Sequence, residues 1–300
     1  MTRQPSFWVC GDYRLSLSKH PLIMGILNVT PDSFSDGGFF MNTDRAVLHA
    51  VQMEQEGADI IDIGGESTRP NSAPVSEKEE IKRVLPVIRA LIKKIKIPLS
   101  IDTTKAEVAK VAIENGASII NDVSGFTRDL QMFSVAQKLK AGIVMMHSQG
   151  TPKTMQKNPR YQNVTKEIYC FLERQIAKAV EIGIPKKRIV GDPGIGFGKT
   201  VHHNLTLLNH LADFLPLGVP ILVGPSRKSF IGKVLSCANE KDKTSQSNSA
   251  NPLDRWEGTA AAVAISVLRG ASILRVHDVA AMMRVSRVAH AIGEGKIVSI

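Results

Sequence analysis

Three hundred residues, 43% of them apolar, are enough for one large core, and (β/α) barrels take about 250 residues as one domain. The net charge of +10, from 38 basic and 28 acidic side chains, is spread along helix-patterned segments and forms no single block, so it reads as a solvated basic surface with no nucleic-acid partner. Cys10, Cys170 and Cys237 are odd in number, far apart and free of any CxxC pairing, which speaks against a disulfide framework or a zinc cluster and fits a reducing compartment.

The opening residues 1–13 mix Arg3, Pro5 and Asp12 among apolar side chains and lack the uninterrupted core of a secretory signal. The longest apolar stretch, 260–268, is far short of the ~20 residues that span a bilayer. A cytoplasmic protein with no membrane partner is expected. Residues 7–17, with Cys10-Gly11-Asp12 as the turn, read as a β-hairpin. After it, short β-branched runs alternate with helix-period segments. Strands are predicted at 22–27, 59–63, 98–101, 118–120, 143–146, 188–190, 220–223 and 272–276. Amphipathic stretches between them include 43–55, 77–95, 105–115, 164–182 and 255–269, and Gly57, Gly116 and Gly183 stand where helix C-caps favour glycine. Such alternation implies parallel strands with helical crossovers, and a count of eight favours closure over an open sheet. The predicted fold is α/β, a (β/α)8 TIM barrel with an N-terminal β-hairpin, in one domain over 1–300. Residues 239–251, polar and without apolar periodicity, read as a surface loop.

A barrel carries its chemistry at the carboxyl ends of its strands. The residues just past the apolar runs are Asn28, the run Glu66-Ser67-Thr68-Arg69, Asp102, Asn121-Asp122, His147, Asp192, the run Ser226-Arg227-Lys228, and Arg275 with His277. Any one of these is ordinarily a helix N-cap or turn residue. Polar groups at all eight ends are harder to explain that way. In IGGESTRP two glycines admit close backbone approach, and a hydroxyl and a guanidinium follow, a set suited to phosphate or to an ordinary loop. In LRVHDV, alternation puts Arg275 and His277 on one side of the chain, aimed alike at an anion, although His277 could equally be a satisfied structural histidine. Arg69, Arg275 and His277 together could hold a diphosphate, with Asn28 as an uncharged oxygen ligand for an accompanying magnesium ion. DPGIGFGKT is neither a P-loop nor a dinucleotide fingerprint, because Pro193 and Lys199 stand where glycines are required. It reads as a tight turn presenting Asp192 and Phe197. Asp102, Asn121, Asp192 and Lys228 suit a flat heterocycle rich in donors and acceptors, with Asp192 accepting two hydrogen bonds from an aminopyrimidinone edge.

The motifs GILNVTPDSFSDGG, DIIDIGGESTRP, PLSIDTTK, IINDVSG, MMH, QGTPKTMQ, DPGIGFGK, GPSRKSFIG and LRVHDV, in this order from Gly25 to Val279, resemble those of the dihydropteroate synthases. The resemblance covers nearly the whole chain. It implies condensation of 6-hydroxymethyl-7,8-dihydropterin diphosphate with p-aminobenzoate, giving dihydropteroate and pyrophosphate. It assigns Asp102, Asn121, Asp192 and Lys228 to the pterin edges and Met146 to its packing. Thr68, Arg69, Arg275 and His277 fall to the diphosphate, and Asn28 to Mg2+. Aminobenzoate, with sulfonamides as competitors, falls to Pro70, Phe197, Ser226 and Lys228. Departure of the diphosphate before attack needs no protein nucleophile, so Lys228, Arg275 and His277 would act on charge, and Asp36 in the loop after Asn28 would face the cation. A homodimer is implied too, with the helix over 258–269 able to pack either on a twin or on its own barrel. Two other readings share the pocket: a pterin-binding methyltransferase, which needs no diphosphate site, and a pterin-binding module without turnover. A nucleic-acid-binding protein would rest on the charge alone.

Overall fold

The computed structural model describes residues 5–30, 39–67, 72–238 and 255–296. Strands β1 (Phe7–Cys10) and β2 (Tyr13–Ser16) form the expected antiparallel hairpin, with Phe7 opposite Ser16 and Cys10 opposite Tyr13. Eight parallel strands follow: β3 (Leu22–Asn28), β4 (Ile60–Gly64), β5 (Leu99–Asp102), β6 (Ile119–Asp122), β7 (Gly142–Met146), β8 (Ile189–Asp192), β9 (Leu222–Val223) and β10 (Ile273–Val276). Their order is β8-β7-β6-β5-β4-β3-β10-β9, and a bridge between Gly191 and Ile221, where Gly191 N–H donates to the Pro220 carbonyl at 3.0 Å, brings the two ends together. The barrel is therefore closed. Its last closing strand is shorter than the predicted 220–223 because Pro220 has no N–H to offer a ladder.

Helices α1 (Phe39–Gln55), α2 (Glu77–Leu91), α3 (Ala106–Glu114), α4 (Gln131–Lys138), α5 (Val164–Glu181), α6 (Val201–Asn209), α7 (Ser229–Ala238), α8 (Trp256–Leu268) and α9 (Val279–Glu294) lie between and after the strands. Ser76 caps α2 by accepting from Glu79 N–H, and three glutamates in the first turn favour its positive end. That helix stops at Leu91, short of the expected 95, and continues only as a turn. Gly57, Gly116 and Gly183 take φ of +100, +111 and +97°, the left-handed ends their positions foretold. No described helix is long and apolar enough to cross a membrane.

Strand alternation divides the core in two. Ile23, Ile61, Ile63, Ile101, Ile120, Ile143 and Leu274 point outward and pack under the helices. Leu22, Met24, Ile60, Ile119, Val144, Val190, Leu222 and Ile273 point into the lumen, where Trp8 and Cys10 of the hairpin join them. Six of these eight inward residues are the first or second of their strands, so the hairpin stoppers the amino end of the barrel. Trp8 is fully buried, and its Nε1–H donates to the Arg188 carbonyl at 3.1 Å. Trp8→Ala should lower unfolding free energy by about 3–5 kcal/mol in denaturant titration while leaving ligand affinity at the far end near that of the parent. An unchanged unfolding midpoint would show that the plug contributes nothing to stability.

Candidate active site

The alternation that puts Ile60, Ile119, Val190 and Ile273 in the lumen puts Asp62, Asn121, Asp192 and Arg275, two residues further on, above them on the same face. A polar layer therefore rests on an apolar floor. Asp62 Oδ2 accepts from Arg275 Nε at 2.6 Å and from Asn121 Nδ2 at 2.9 Å. Arg275 Nη2 donates to Asp102 Oδ2 at 2.7 Å. One guanidinium is thus shared by carboxylates from two adjacent strands. Burial works against its charge, but Asp62 and Asp102 outweigh burial and move the Arg275 pKa further up. Burial drives the Asp102 pKa up to about 7; Arg275 opposes the shift, and the charges of Asp62, Glu80 and Asp122 add to it.

The turn after β8 forms a second wall. Asp192 Oδ1 accepts from Gly194 N–H at 2.7 Å. Burial raises the Asp192 pKa to about 6, offset in part by that hydrogen bond and by Lys228, Lys199 and Arg275. Gly194 has φ +71°, and a Cβ there would stand 1.9 Å from the His147 carbonyl oxygen, so only glycine lets the turn lie against the end of β7. Met146 reaches the same glycine from β7. Phe197, further round the turn, carries the Lys228 ammonium 4.0 Å from its ring centroid. Burial lowers the Lys228 pKa to about 8; Arg275 adds to the shift, and Asp192 and Asp102 resist it.

Lys228 and Ser226 flank Arg227, which has φ +57° and spans to Asp278 with a two-bond fork at 3.1 and 2.5 Å. That fork ties the loop before α7 to the residue beyond His277, while Ser226 Oγ lies 3.0 Å from His277 Nδ1 and accepts from His277 N–H at 3.2 Å. Asp102 and Phe197 border one cavity of about 300 Å³ at the barrel mouth, together with Thr103, Val123, Arg128 and Ser148. Asn28, half-buried at the end of β3, and Asp102 flank Gly64; Asn28 Oδ1 and Asp102 Oδ2 each stand 3.8 Å from where a Cβ would be. Among the described residues no cluster of three histidine, cysteine or acidic side chains could hold a metal.

Of the residues singled out from the sequence, Asp102, Asn121, Met146, Asp192, Phe197, Ser226, Lys228, Arg275, His277 and Asn28 all lie at the carboxyl end of the barrel. Asp36, Thr68, Arg69 and Pro70 lie outside the described residues, as does the loop 239–251. Asp62 and the Arg227–Asp278 fork were missed. Asp62 stands inside the apolar run IIDIG, two residues after inward-facing Ile60, and that parity was its signal.

A family model described as pterin binding enzyme matches residues 24–277. The chain belongs to the dihydropteroate synthase family of pterin-binding enzymes. A dihydropteroate synthase of Synechocystis is 46% identical over 94% of this chain and 93% of its own length. The Yersinia pestis dihydropteroate synthase, solved with a sulfonamide drug complex, superposes with a TM-score of 0.86 at 41% identity, covering 96% of this chain and 99% of that one. The Xanthomonas albilineans dihydropteroate synthase in complex with 7,8-dihydropteroate gives a TM-score of 0.82 at 39% identity over 95% of this chain and 98% of that one.

Within this family member, Asp62→Asn keeps the side-chain shape but leaves Arg275 and Asn121 with a neutral acceptor. A hydrogen bond to a charged group is worth about 1.5–3 kcal/mol, so pterin affinity measured by calorimetry should fall roughly 10–100-fold. Wild-type affinity in the variant would mean that Asp102 alone orients Arg275.

Proposed function

We infer that this chain condenses 6-hydroxymethyl-7,8-dihydropterin diphosphate with p-aminobenzoate to form 7,8-dihydropteroate and pyrophosphate, a transferase step of folate biosynthesis. The observation that carries the reading is the inward polar layer of Asp62, Asp102, Asn121, Asp192 and Arg275 above an apolar floor, in a chain whose relatives are dihydropteroate synthases. In the proposed arrangement the pterin lies flat over that floor against Met146. Its edge donates to Asp192 and Asp102 and meets Asn121 and Lys228. The diphosphate is held by Thr68, Arg69, Arg275 and His277. Aminobenzoate lies nearer the mouth against Phe197 and Pro70, its carboxylate towards Ser226 and the start of α7, with Lys228 between the two halves.

Asn28 fits a magnesium ion accompanying the diphosphate: the ion needs only one neutral protein oxygen when phosphate and water complete its shell, and the missing Cβ of Gly64 leaves space beside the amide. Bound there, magnesium would neutralise charge on the leaving group. The protein's own residues supply the rest. The bond between the pterin methylene carbon and the diphosphate oxygen breaks with its electron pair going to the diphosphate, whose growing charge Arg275 and His277 stabilise. The positive charge left on that carbon is delocalised into the pterin, and the proposal assigns its electrostatic stabilisation to Asp36. The aromatic amine then attacks that carbon, forming the C–N bond, and its extra proton passes to the departing pyrophosphate or to water. No covalent bond to the protein forms.

A methyltransferase would have no diphosphate for Arg275 and His277 to hold, and a binding module would show no turnover. Pyrophosphate release from the pterin diphosphate, followed with and without aminobenzoate, separates the three: release coupled to dihydropteroate is the expected outcome. Pterin binding without release would overturn the reading.

We further propose that one domain carries this activity in the cytoplasm, as a homodimer. Helix α8 buries Thr259, Ala262, Val263, Ser266 and Val267 inside its own subunit, yet Trp256, Ile265 and Leu268 stay exposed, beside Val288 and Ile292 of α9 at 62 and 68% exposure. A second copy would cover that face.

The pH dependence follows from the site. Asp192 at about 6 and Asp102 at about 7 accept from the pterin only when ionised, and Lys228 at about 8 carries its charge only below that value. Because burial raises the two acids and lowers the amine, kcat/KM for the pterin substrate should fall as pH drops through the first two values and as it rises through the third. Asp192→Asn should remove part of the acid limb. A profile flat from about pH 5 to 9 would contradict these assignments.

A further inference from the structure

Two buried titratable groups at the mouth have no part in the reading above: His147, just past β7, and Lys199, at the end of the turn after β8. Lys199 is 3% exposed. Its ammonium donates to the Phe197 carbonyl at 2.9 Å, to the His147 carbonyl at 3.3 Å and to His147 Nδ1 at 3.1 Å. With Nδ1 accepting, the neutral imidazole carries its proton on Nε2. Burial and the Lys199 charge hold the His147 pKa down to about 3, so the ring stays neutral, set edge-on to Phe171 at 4.9 Å between centroids.

The turn around Lys199 is pressed against the chain after β7 at two glycines. A Cβ on Gly194 would strike the His147 carbonyl oxygen, and one on Gly198 would stand 2.5 Å from the carbonyl oxygen of Gln149. The neighbours of Phe197 have other anchors. Gly196 donates to Asn204 Oδ1 at 2.7 Å and accepts from Gln156 at 2.9 Å, and Gly198 accepts from the Tyr161 hydroxyl at 2.8 Å. Phe197 itself donates its N–H to the Gly194 carbonyl at 3.1 Å, and its own carbonyl is taken by Lys199. The ammonium is the link that fastens this residue to the end of a core strand.

Burying an ammonium is unfavourable, and burial lowers the Lys199 pKa to about 7 although Asp192 opposes the shift; Lys228 adds to it. The titratable groups around it come from separate elements: Asp192 ends β8, Lys228 precedes α7, and His147 follows β7, while His203 of α6 lies within electrostatic reach. An apolar side chain would fill the same space at less electrostatic disadvantage, but it could not grip two carbonyls.

We propose that Lys199 is a positioning residue for the aminobenzoate half of the reaction, which fixes the Phe197 ring by tying the Phe197 carbonyl to His147 and touches neither substrate. The proposal rests on the placement of aminobenzoate against Phe197 given above. Its test uses the full chain with Lys199→Met, Lys199→Gln and Lys199→Arg. The KM for aminobenzoate is measured beside the calorimetric affinity for the dihydropterin diphosphate, and the ring-nitrogen NMR shifts of His147 report its tautomer. Measured at about pH 7.5, above the Asp192 pKa of about 6, a displaced ring wall should raise the aminobenzoate KM about tenfold in the Met variant while pterin affinity stays within about threefold, with partial recovery in the Gln or Arg variant. The His147 nitrogen shifts should change in Met and return towards the parent in Arg.

Equal losses for both substrates, or an unchanged aminobenzoate KM, would overturn the proposal. Failure of all three variants to fold would make Lys199 a stability residue and would overturn it too. A parent protein that forms no dihydropteroate would instead sink the functional reading itself, and that outcome is read before any variant is made.

Discussion

A guanidinium clasped between Asp62 and Asp102 marks the level at which the apolar floor of the barrel gives way to a polar mouth. The rest of the site is arranged around it. Bringing charges into the interior is unfavourable unless they are paired and hydrogen-bonded, and here the pairing joins four strands: Arg275 on β10 donates to Asp62 on β4 and Asp102 on β5, and Asp62 also accepts from Asn121 on β6. Around them, Asp62, Asp102 and Asp192 balance Arg275, Lys228 and Lys199, three acids against three bases. A constellation so cross-tied has little freedom to relax when a ligand arrives. Its dipoles and charges are set by folding, which is the condition under which they can stabilise a departing anion in a water-poor space.

Much of the fold was legible in the sequence because strand and helix periods, glycine ends and the count of eight runs all pointed one way. The hairpin, every barrel strand and the caps at Gly57, Gly116 and Gly183 stand within a few residues of where those signals put them. The shortened β9 and the early end of α2 are local effects, the first from a proline that cannot donate, the second from a last turn that hydrogen-bonds without remaining α-helical.

The site was legible where polar residues follow apolar runs, as at Asp102, Asn121, Asp192, Arg275 and His277. At Asp62 the only signal is its parity with Ile60, which turns it inward; a single acid inside IIDIG does not interrupt the run and so does not stand out as a polar strand end. The Arg227–Asp278 fork is not legible for another reason: Arg227 stands among the polar strand ends, but the fork joins two loops 51 residues apart, and no local pattern encodes that meeting. In the sequence Lys199 signals only what it excludes, a dinucleotide turn. Its partners, the carbonyls of Phe197 and His147, belong to backbone that comes together only when β7 and β8 pair.

The hairpin has a bearing on traffic as well as on stability. With Trp8 and Cys10 filling the amino end of the lumen, the barrel is a well with a solid bottom and not a bore open at both ends. Anything that enters over Arg275 must return by the same route. In a well, what lies deeper goes in earlier and comes out later, so a flat ring placed on the floor, as proposed above, would be sealed beneath whatever occupied the rim by Phe197. A small molecule lodged at that rim would then act as a cork over the ligand below it and would hold that ligand in place without touching the polar groups that recognise it.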